Sequence, residues 1–212
     1  TVPTSLFDKS YYHASATIGD HIIIAGGQSK SSKAYRTAVV QSYDKSLTRL
    51  TLDSLSNPQV GLAATANENY AMFHDSEEWY LYAYNKSLTK SSLTLKAYTN
   101  PGAASTKKHS LFLADGFNGR AYVYDSSLTK LSDVYMHKGA SSGARASTDT
   151  HIIVASGGYY YDDNFITLKA ATVLDQALTK TQINTSTDPY VRKSATVGDY
   201  ALFASTDSNS VA

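Results

Sequence analysis

A short apolar segment recurs five times along this chain, and the repetition constrains the fold more than any other feature of the sequence. Successive copies start 49, 39, 42 and 49 residues apart. The copies are His21–Ala25, Tyr70–Phe73, His109–Leu113, His151–Ala155 and Tyr200–Ala204. A unit of this length cannot bury its apolar segment alone, so neighbouring units are expected to pack against one another.

Each apolar segment belongs to a longer unit that predicts four short strands, which we call a, b, c and d in chain order. Small residues precede the apolar strand b, as expected of a strand a at the crowded centre of an assembly. These segments are Ala14–Ile18, Leu62–Ala66, Ala103–Thr106, Arg145–Thr148 and Ser194–Val197. In four units strand c, in which aromatic residues alternate with smaller ones, ends in an Asp or Asn. A Leu-Thr pair begins three residues after that Asp or Asn. Such a side chain can bond its own backbone and close a tight hairpin into strand d.

Four short strands in every 39 to 49 residues are typical of a β-propeller blade. The sequence therefore predicts an all-β fold, a single domain over 1–212 and a five-bladed propeller of four-stranded antiparallel blades. The blades are expected over 14–55, 62–97, 103–136, 144–185, and 193–212 together with 1–7. The N-terminal segment matches strand d, so it is expected to pair with the C-terminal blade and close the ring. A piece of a larger ring is the alternative.

Three features of the repeat resemble the kelch repeat. Glycine pairs follow strand b at Gly26–Gly27 and Gly157–Gly158, and a Tyr-Asp turn follows strand c. A basic residue stands ahead of strand a at His13, Arg145 and Arg192. The glycine pair is missing from three units, and Leu-Thr replaces the usual Trp after the turn. The near-identical units look like kelch-type arrays of Firmicutes and their phages, which often occur in surface or tail-associated proteins.

The resemblance implies a binding module, because kelch-like proteins mostly bind partners. A minority, similar to galactose oxidase, are enzymes whose copper site needs a Cys–Tyr crosslink, and this chain has no cysteine. Strand a also carries no Asp or Glu that could serve as the acid–base pair of a propeller glycosidase. His21, His109 and His151 share a repeat position with tyrosines, which favours a structural role over metal binding. The sequence predicts no catalytic residue, no metal and no cofactor.

The extra length of the first and fourth units lies between strands b and c, over 28–36 and 159–166. Insertions in repeat proteins often mark the working surface, and the b–c and d–a connections emerge at the same edge of a blade. Tyrosine and arginine suit such a surface, and tyrosine rings can stack on sugars. The residues predicted to bind a ligand are Tyr12, His13, Tyr35, Arg36, Tyr159, Tyr160, Tyr190 and Arg192.

The charge balance narrows the class of partner. The chain carries 19 basic and 18 acidic residues, for a net charge of +1, so no strong field attracts nucleic acid. It also lacks an apolar run of about 18 residues, so no membrane insertion is expected.

The sequence thus predicts a monomeric, non-enzymatic domain that recognises a protein or a cell-surface glycan. The alternative is a structural spacer in a larger surface or phage tail protein, and a propeller-type glycoside hydrolase is a third hypothesis. Location stays open, although the resemblance is consistent with an extracellular, cell-surface or virion-associated setting.

Overall fold

The computed structural model consists of β-strands joined by turns. It describes residues 13–28, 36–52, 54–59, 61–75, 79–95, 102–114, 118–140, 143–155, 157–161, 164–167, 170–184 and 191–205. In these ranges no helix has the length and apolar character needed to cross a membrane. The chain divides into two compact units, 1–96 and 97–212.

The first unit contains two four-stranded antiparallel sheets, each with its strands in chain order. The first sheet comprises β1 (Ala14–Ile18), β2 (His21–Ala25), β3 (Val40–Tyr43) and β4 (Arg49–Thr51). The second comprises β5 (Ala63–Ala66), β6 (Tyr70–Asp75), β7 (Tyr80–Asn85) and β8 (Lys90–Thr94). The predicted order of strands a, b, c and d is therefore confirmed in both sheets.

The second unit contains two more four-stranded sheets and two hairpins. The third sheet comprises β9 (Gly102–Ser105), β10 (His109–Leu113), β11 (Arg120–Asp125) and β12 (Val134–Tyr135). The fourth comprises β13 (Ala144–Ser147), β14 (Ile152–Ala155), β17 (Ala170–Leu174) and β18 (Lys180–Asn184). Between β14 and β17 lies a hairpin of β15 (Gly158–Tyr161) and β16 (Asn164–Thr167). The fifth repeat provides a pair, β19 (Val191–Val197) and β20 (Tyr200–Ser205).

The all-β class and the four-stranded antiparallel sheets are thus confirmed for four of the five repeats. The fifth repeat is described as two strands, and the described sheets do not close into a ring. The strand expected over 1–7 and the segment 210–212 lie outside the described residues. Five complete blades and ring closure therefore stay predictions.

Strand b is buried on both faces in the second and third sheets, as a strand between two packed layers must be. Phe73 in β6 and Phe112 in β10 are fully buried. Each ring meets a tyrosine of the adjacent strand c edge to face: Phe73 lies 6.1 Å from Tyr84, and Phe112 lies 6.4 Å from Tyr124. The same aromatic pair therefore stabilises both sheets, in a geometry that ring quadrupoles favour.

The c–d turn is closed by the Asp or Asn that the sequence singled out. In each turn one side-chain oxygen accepts hydrogen bonds from the backbone N–H groups two and four residues later, at 2.8–2.9 Å. The four acceptors are Asp44, Asn85, Asp125 and Asp175. In the last turn, the N–H groups of Thr179 and Ala177 hold the pKa of Asp175 below its ordinary value. The turn is therefore confirmed, and its acceptor can be a carboxylate or an amide.

The leucine of the same turn adopts a backbone conformation that the sequence does not reveal. Its φ is 59° to 63° in all four copies, Leu47, Leu88, Leu128 and Leu178. The left-handed region is the place where a hairpin of this length normally uses glycine. The repeat therefore tolerates local strain at one point of every turn.

Hydroxyl groups link the a strands of neighbouring sheets in the second unit. The Ser147 Oγ of β13 accepts a hydrogen bond from the Ser105 N–H of β9 at 2.9 Å. The Thr196 Oγ1 of β19 accepts one from the Ser147 N–H at 3.3 Å. Strand a is therefore small for two reasons: adjacent a strands approach closely, and a short hydroxyl bridges the gap between their backbones.

Candidate binding surface

The b–c connection of the first sheet adjoins the d–a connection that leaves the same sheet. Gln28 and Arg36 form an antiparallel bridge, and Thr37 bridges Gln59. The Gln59 N–H donates to the Thr37 carbonyl at 3.1 Å, and the Gln59 carbonyl accepts from the Gly27 N–H at 2.7 Å. The two kinds of connection therefore share one edge of the first sheet, as the sequence predicts.

The glycine pairs after strand b permit this close approach. Gly26 has a φ of +69°, and a Cβ there would lie 2.8 Å from the Gln59 carbonyl oxygen. Gly157 has a φ of +126°, and a Cβ there would overlap the carbonyl of Gly139. Both positions therefore exclude larger residues on conformational and steric grounds.

The fourth sheet carries a β-hairpin where the sequence predicts a loop. The register of β15 and β16 pairs Tyr159 with Ile166 and Tyr160 with Phe165. Aromatic and β-branched residues favour strands, and such cross-strand pairs stabilise them. Three consecutive tyrosines show no polar–apolar alternation, so the pattern did not indicate a strand. For Tyr159 and Tyr160 the structure describes the backbone.

The segment after β12 contacts the b–c connections of both the third and the fourth sheets. A Cβ on Gly119 would overlap the His137 carbonyl, just as Gly157 faces Gly139. The buried His137 ring places its Nδ1 2.9 Å from the Thr172 Oγ1 of β17. His137 had no assigned role, because the d–a connections vary too much for the repeat to mark it.

Trp79 is the only tryptophan of the chain and stands at the b–c edge of the second sheet. It directly precedes β7. Its φ is +63°, its N–H donates to Asp75 at 3.1 Å, and its carbonyl accepts from Leu95 at 2.6 Å. A bulky residue in this conformation is rare, and backbone strain of this kind concentrates at functional sites.

Only part of the predicted ligand-binding set can be placed. His13 is exposed directly before β1, and Arg36 is half-buried in its bridge with Gln28. Tyr12, Tyr35 and Tyr190 lie outside the described residues. The remaining predicted residues, Tyr159, Tyr160 and Arg192, belong to the second compact unit. The predicted binding set therefore stays a prediction.

One of the three basic residues predicted ahead of strand a, Arg145, does not share the position of the other two, which corrects the sequence interpretation. Arg145 lies inside β13 and pairs with Val154, as Ser15 pairs with Ile24 in the first sheet. His13 directly precedes Ala14, which pairs with Ala25 in the first sheet. Arg192 directly precedes Lys193, which pairs with Ala204 in the fifth repeat, so His13 and Arg192 share one position. The error arose because small residues flank Arg145 on both sides, so the sequence does not show at which of them strand a begins.

The histidines at the start of strand b belong to tight a–b turns. The backbone N–H of His109 donates to the Thr106 Oγ1 at 3.1 Å, and that of His151 donates to the Thr148 Oγ1 at 3.0 Å. Burial lowers the pKa of His109. Within the ranges that the structure covers, no three His, Asp or Glu side chains are grouped so that they could hold a metal ion.

A shallow hollow of about 240 Å³ lies at the opposite edge of the first sheet, where its a–b and c–d turns meet. Asp20 and Lys45 line it and form an ion pair at 2.6 Å. Both side chains are largely exposed, and ion pairs of this kind contribute little to stability. The hollow is therefore an ordinary turn surface, remote from the b–c edge of the same sheet.

No protein-family model and no curated protein matches this sequence. In fold, 209 chains of solved structures resemble it. One of them, titled "Structure of YjhT", superimposes with a TM-score of 0.56 at 12% identity, over 84% of this chain and 71% of that one. At this identity the likeness concerns the fold alone. This chain is an all-β protein of four-stranded antiparallel sheets in a propeller-like arrangement.

Proposed function

We propose that this chain is a non-enzymatic binding module of the kelch-like type, which recognises a protein or a cell-surface glycan through its b–c and d–a connections. The hairpin β15–β16 carries the proposal. The third sheet joins strand b to strand c with residues 114–119 alone, so the fold does not need the additional strands. An added, tyrosine-rich element on a rigid sheet is typical of a recognition surface.

Tyrosine makes such a hairpin suitable for recognition. Its ring offers a large contact area at low cost in side-chain entropy, while its hydroxyl can bond a polar partner. Tyrosine faces also stack on sugar rings. The b–c edges of the first and second sheets offer further aromatic and polar groups for contact with a ligand. These groups are the bridged Gln28–Arg36 pair and the strained Trp79.

We further propose that five blades form a closed ring, with the N-terminal strand completing the last blade. Two sheet faces support this proposal because each exposes large apolar residues that need a cover. The first sheet exposes Ile22 (41%) and Val39 (42%), and the fifth exposes Val197 (63%), Tyr200 (75%) and Leu202 (55%). In a ring, these two faces would cover each other.

The binding proposal is tested by replacing residues 156–169 with 114–119, the short connection of the third sheet. The graft is expected to preserve the circular dichroism spectrum and the melting temperature. It is expected to abolish retention on a glycan array or in a pull-down with cell-surface protein, because the hairpin that makes the contacts is gone.

A second graft at the opposite edge serves as the matched control. Residues 175–179 are exchanged for 125–129, which form the same turn in the third sheet, and binding is expected to persist. Undiminished ligand binding by the hairpin graft would contradict the proposal. If the unaltered chain retains no ligand at all, the structural spacer is favoured. Glycoside hydrolysis by the unaltered chain would contradict its non-enzymatic part.

A further inference from the structure

The leucine of the c–d turn packs into the boundary between two sheets. Leu88 of the second sheet packs against the apolar cluster that the first and second sheets share. Leu178 of the fourth sheet packs against the cluster that the third and fourth sheets share. In both pairs the leucine comes from the later sheet, so the turn directs it towards the sheet before.

The lysine two residues after this leucine bonds the same neighbour. The Lys90 Nζ donates a hydrogen bond to the Ser54 carbonyl at 2.9 Å, and the Lys180 Nζ donates one to the Tyr135 carbonyl at 3.1 Å. Ser54 and Tyr135 hold the same place in the repeat, because each stands nine residues before the next strand a, β5 or β13. The turn thus holds one backbone carbonyl of the preceding sheet through a charged donor.

The residue after each of these carbonyls is apolar and buried. Leu55 follows Ser54 and belongs to the first cluster, while Met136 follows Tyr135 and belongs to the second. We call this arrangement the clasp: a turn leucine and a basic residue on one sheet, and a carbonyl with the next apolar residue on the sheet before.

The clasp gives a reason for leucine in a turn where glycine would be less strained. Glycine adopts the left-handed backbone freely but has no side chain to bury between two sheets. Leucine accepts the strain and contributes apolar contact with the neighbouring sheet. The third sheet uses its lysine differently, since the Lys130 Nζ lies 3.1 Å from the Asp133 carboxylate of its own repeat.

The first sheet carries the same two residues, Leu47 and Arg49, and their side is open to solvent. Leu47 is 38% exposed, and Arg49 is exposed as well. Ile22 lines the same shallow hollow as Leu47 and is also exposed. The counterparts of Ile22 in the next three sheets are fully buried: Ala71, Ser110 and Ile152. The first sheet therefore presents a clasp that the described residues of its own unit leave uncovered.

The segment ahead of the first sheet has the sequence that such a clasp holds. Ser5 stands nine residues before Ala14, the spacing that separates Ser54 from β5 and Tyr135 from β13. The pair Ser5-Leu6 also repeats the pair Ser54-Leu55. Ser5 and Leu6 lie outside the described residues, so their place is inferred from this spacing and identity.

We propose that the c–d turn is the clasp that holds a sheet to the one before it, and that the clasp of the first sheet takes Ser5 and Leu6 of the same chain. The Arg49 guanidinium donates to the Ser5 carbonyl, and the Leu47 side chain packs on Leu6. The place of Ser5 and Leu6 rests on the proposed ring. The clasps of the second and fourth sheets do not depend on it.

Hydrogen exchange of the full chain, followed by mass spectrometry, tests the proposal. In the unaltered chain, the amides of residues 5–12 are expected to exchange about tenfold more slowly than in the double variant Leu47→Asn, Arg49→Ala. Asparagine tolerates the left-handed backbone, so the substitution removes the apolar side chain and keeps the turn. Exchange in β9–β18 is expected to stay unchanged.

Two further variants serve as controls. Leu178→Asn with Lys180→Ala opens the clasp between the third and fourth sheets. It is expected to speed exchange over residues 134–140 and to leave residues 5–12 as they were. Arg49→Lys copies Lys90 and Lys180 and is expected to keep most of the protection of residues 5–12.

Unchanged exchange over residues 134–140 in the Leu178→Asn, Lys180→Ala variant would overturn the clasp. Rapid exchange of residues 5–12 in the unaltered chain would overturn their place in it, and so would protection that survives in the Leu47→Asn, Arg49→Ala variant. Protection that grows with protein concentration would show that a second copy supplies the segment, against the proposal. If the double variant does not fold, Arg49→Ala alone decides.

The results also separate this inference from the proposed function. An open ring would leave residues 5–12 unprotected but would not alter the response of residues 134–140. Ligand binding by the hairpin β15–β16 enters neither measurement, because the c–d turns lie at the opposite edge of the sheets.

Discussion

Gly157→Ala is expected to lower the free energy of unfolding by about 3 kcal/mol. The φ of Gly157, +126°, is one that residues with a side chain rarely adopt. The new methyl group would also overlap the Gly139 carbonyl and lie 3.3 Å from the Gly143 nitrogen. Both neighbours are backbone atoms that cannot rotate away, so strands or connections must move apart. Urea denaturation followed by circular dichroism measures the loss.

Gly198→Ala is the matched control for this prediction. Gly198 also has a positive φ, +56°, but a Cβ there would meet no atom within 4 Å. The control is therefore expected to cost about 1 kcal/mol, the conformational part alone. Equal losses in the two variants would show that the approach of Gly157 to Gly139 does not occur. Because Gly157 precedes β15, its substitution is also expected to weaken ligand binding through the hairpin.

Acidification from pH 6.5 to about pH 4 is expected to remove about 3 kcal/mol of stability through His74. The His74 side chain is fully buried in β6, and this burial lowers its pKa to about 4, although a hydrogen bond with the Leu95 backbone partly opposes the shift. In this pH window the unfolded chain binds the proton and the folded chain does not. Stability is therefore full above the unfolded pKa and declines as the pH falls towards the folded one.

His74→Leu isolates this contribution, because leucine stands at the equivalent place as Leu113 in the third sheet. The variant is expected to lose less stability than the unaltered chain between pH 7 and pH 4.5, measured by urea denaturation at each pH. His109 also has a lowered pKa but is present in both proteins, so its effect cancels in the comparison. The same pH dependence in both would contradict a neutral, buried His74.

The sequence predicts the sheets well because their information is local and repeated. Strand b shows an uninterrupted apolar run, and the c–d turn shows an Asp or Asn whose side chain closes it. Five copies of one pattern also average out the irregularities of any single copy. For these reasons the strand order and the turn acceptors Asp44, Asn85, Asp125 and Asp175 follow from the residues alone.

Other features escape because they depend on contacts between repeats. The left-handed Leu47 looks like an ordinary apolar residue, and the strained Trp79 looks like a strand residue. The Ser147 hydroxyl bonds a residue 42 positions away, so composition shows a small residue but not its partner. Arg145 fits beside the neighbouring sheet because Gly102, in another repeat, has no side chain that would overlap its guanidinium. Only the packing of one sheet on the next reveals these relations.

The most direct test of the account is a cysteine pair that reports whether the five repeats close into a ring. The unaltered chain has no cysteine, so each introduced pair is unique. The first pair is Ser147→Cys with Thr196→Cys, at positions where the Ser147 backbone nitrogen lies 3.3 Å from the Thr196 Oγ1. This pair is expected to form an intramolecular disulfide on oxidation. Thr17 of the first sheet occupies the same position in its repeat as Ser147 and Thr196 do in theirs. A closed ring predicts that Thr17→Cys with Thr196→Cys forms an intramolecular disulfide as readily, seen by non-reducing electrophoresis and mass spectrometry. If the first pair forms and the second stays reduced or links two molecules, the ring is not closed.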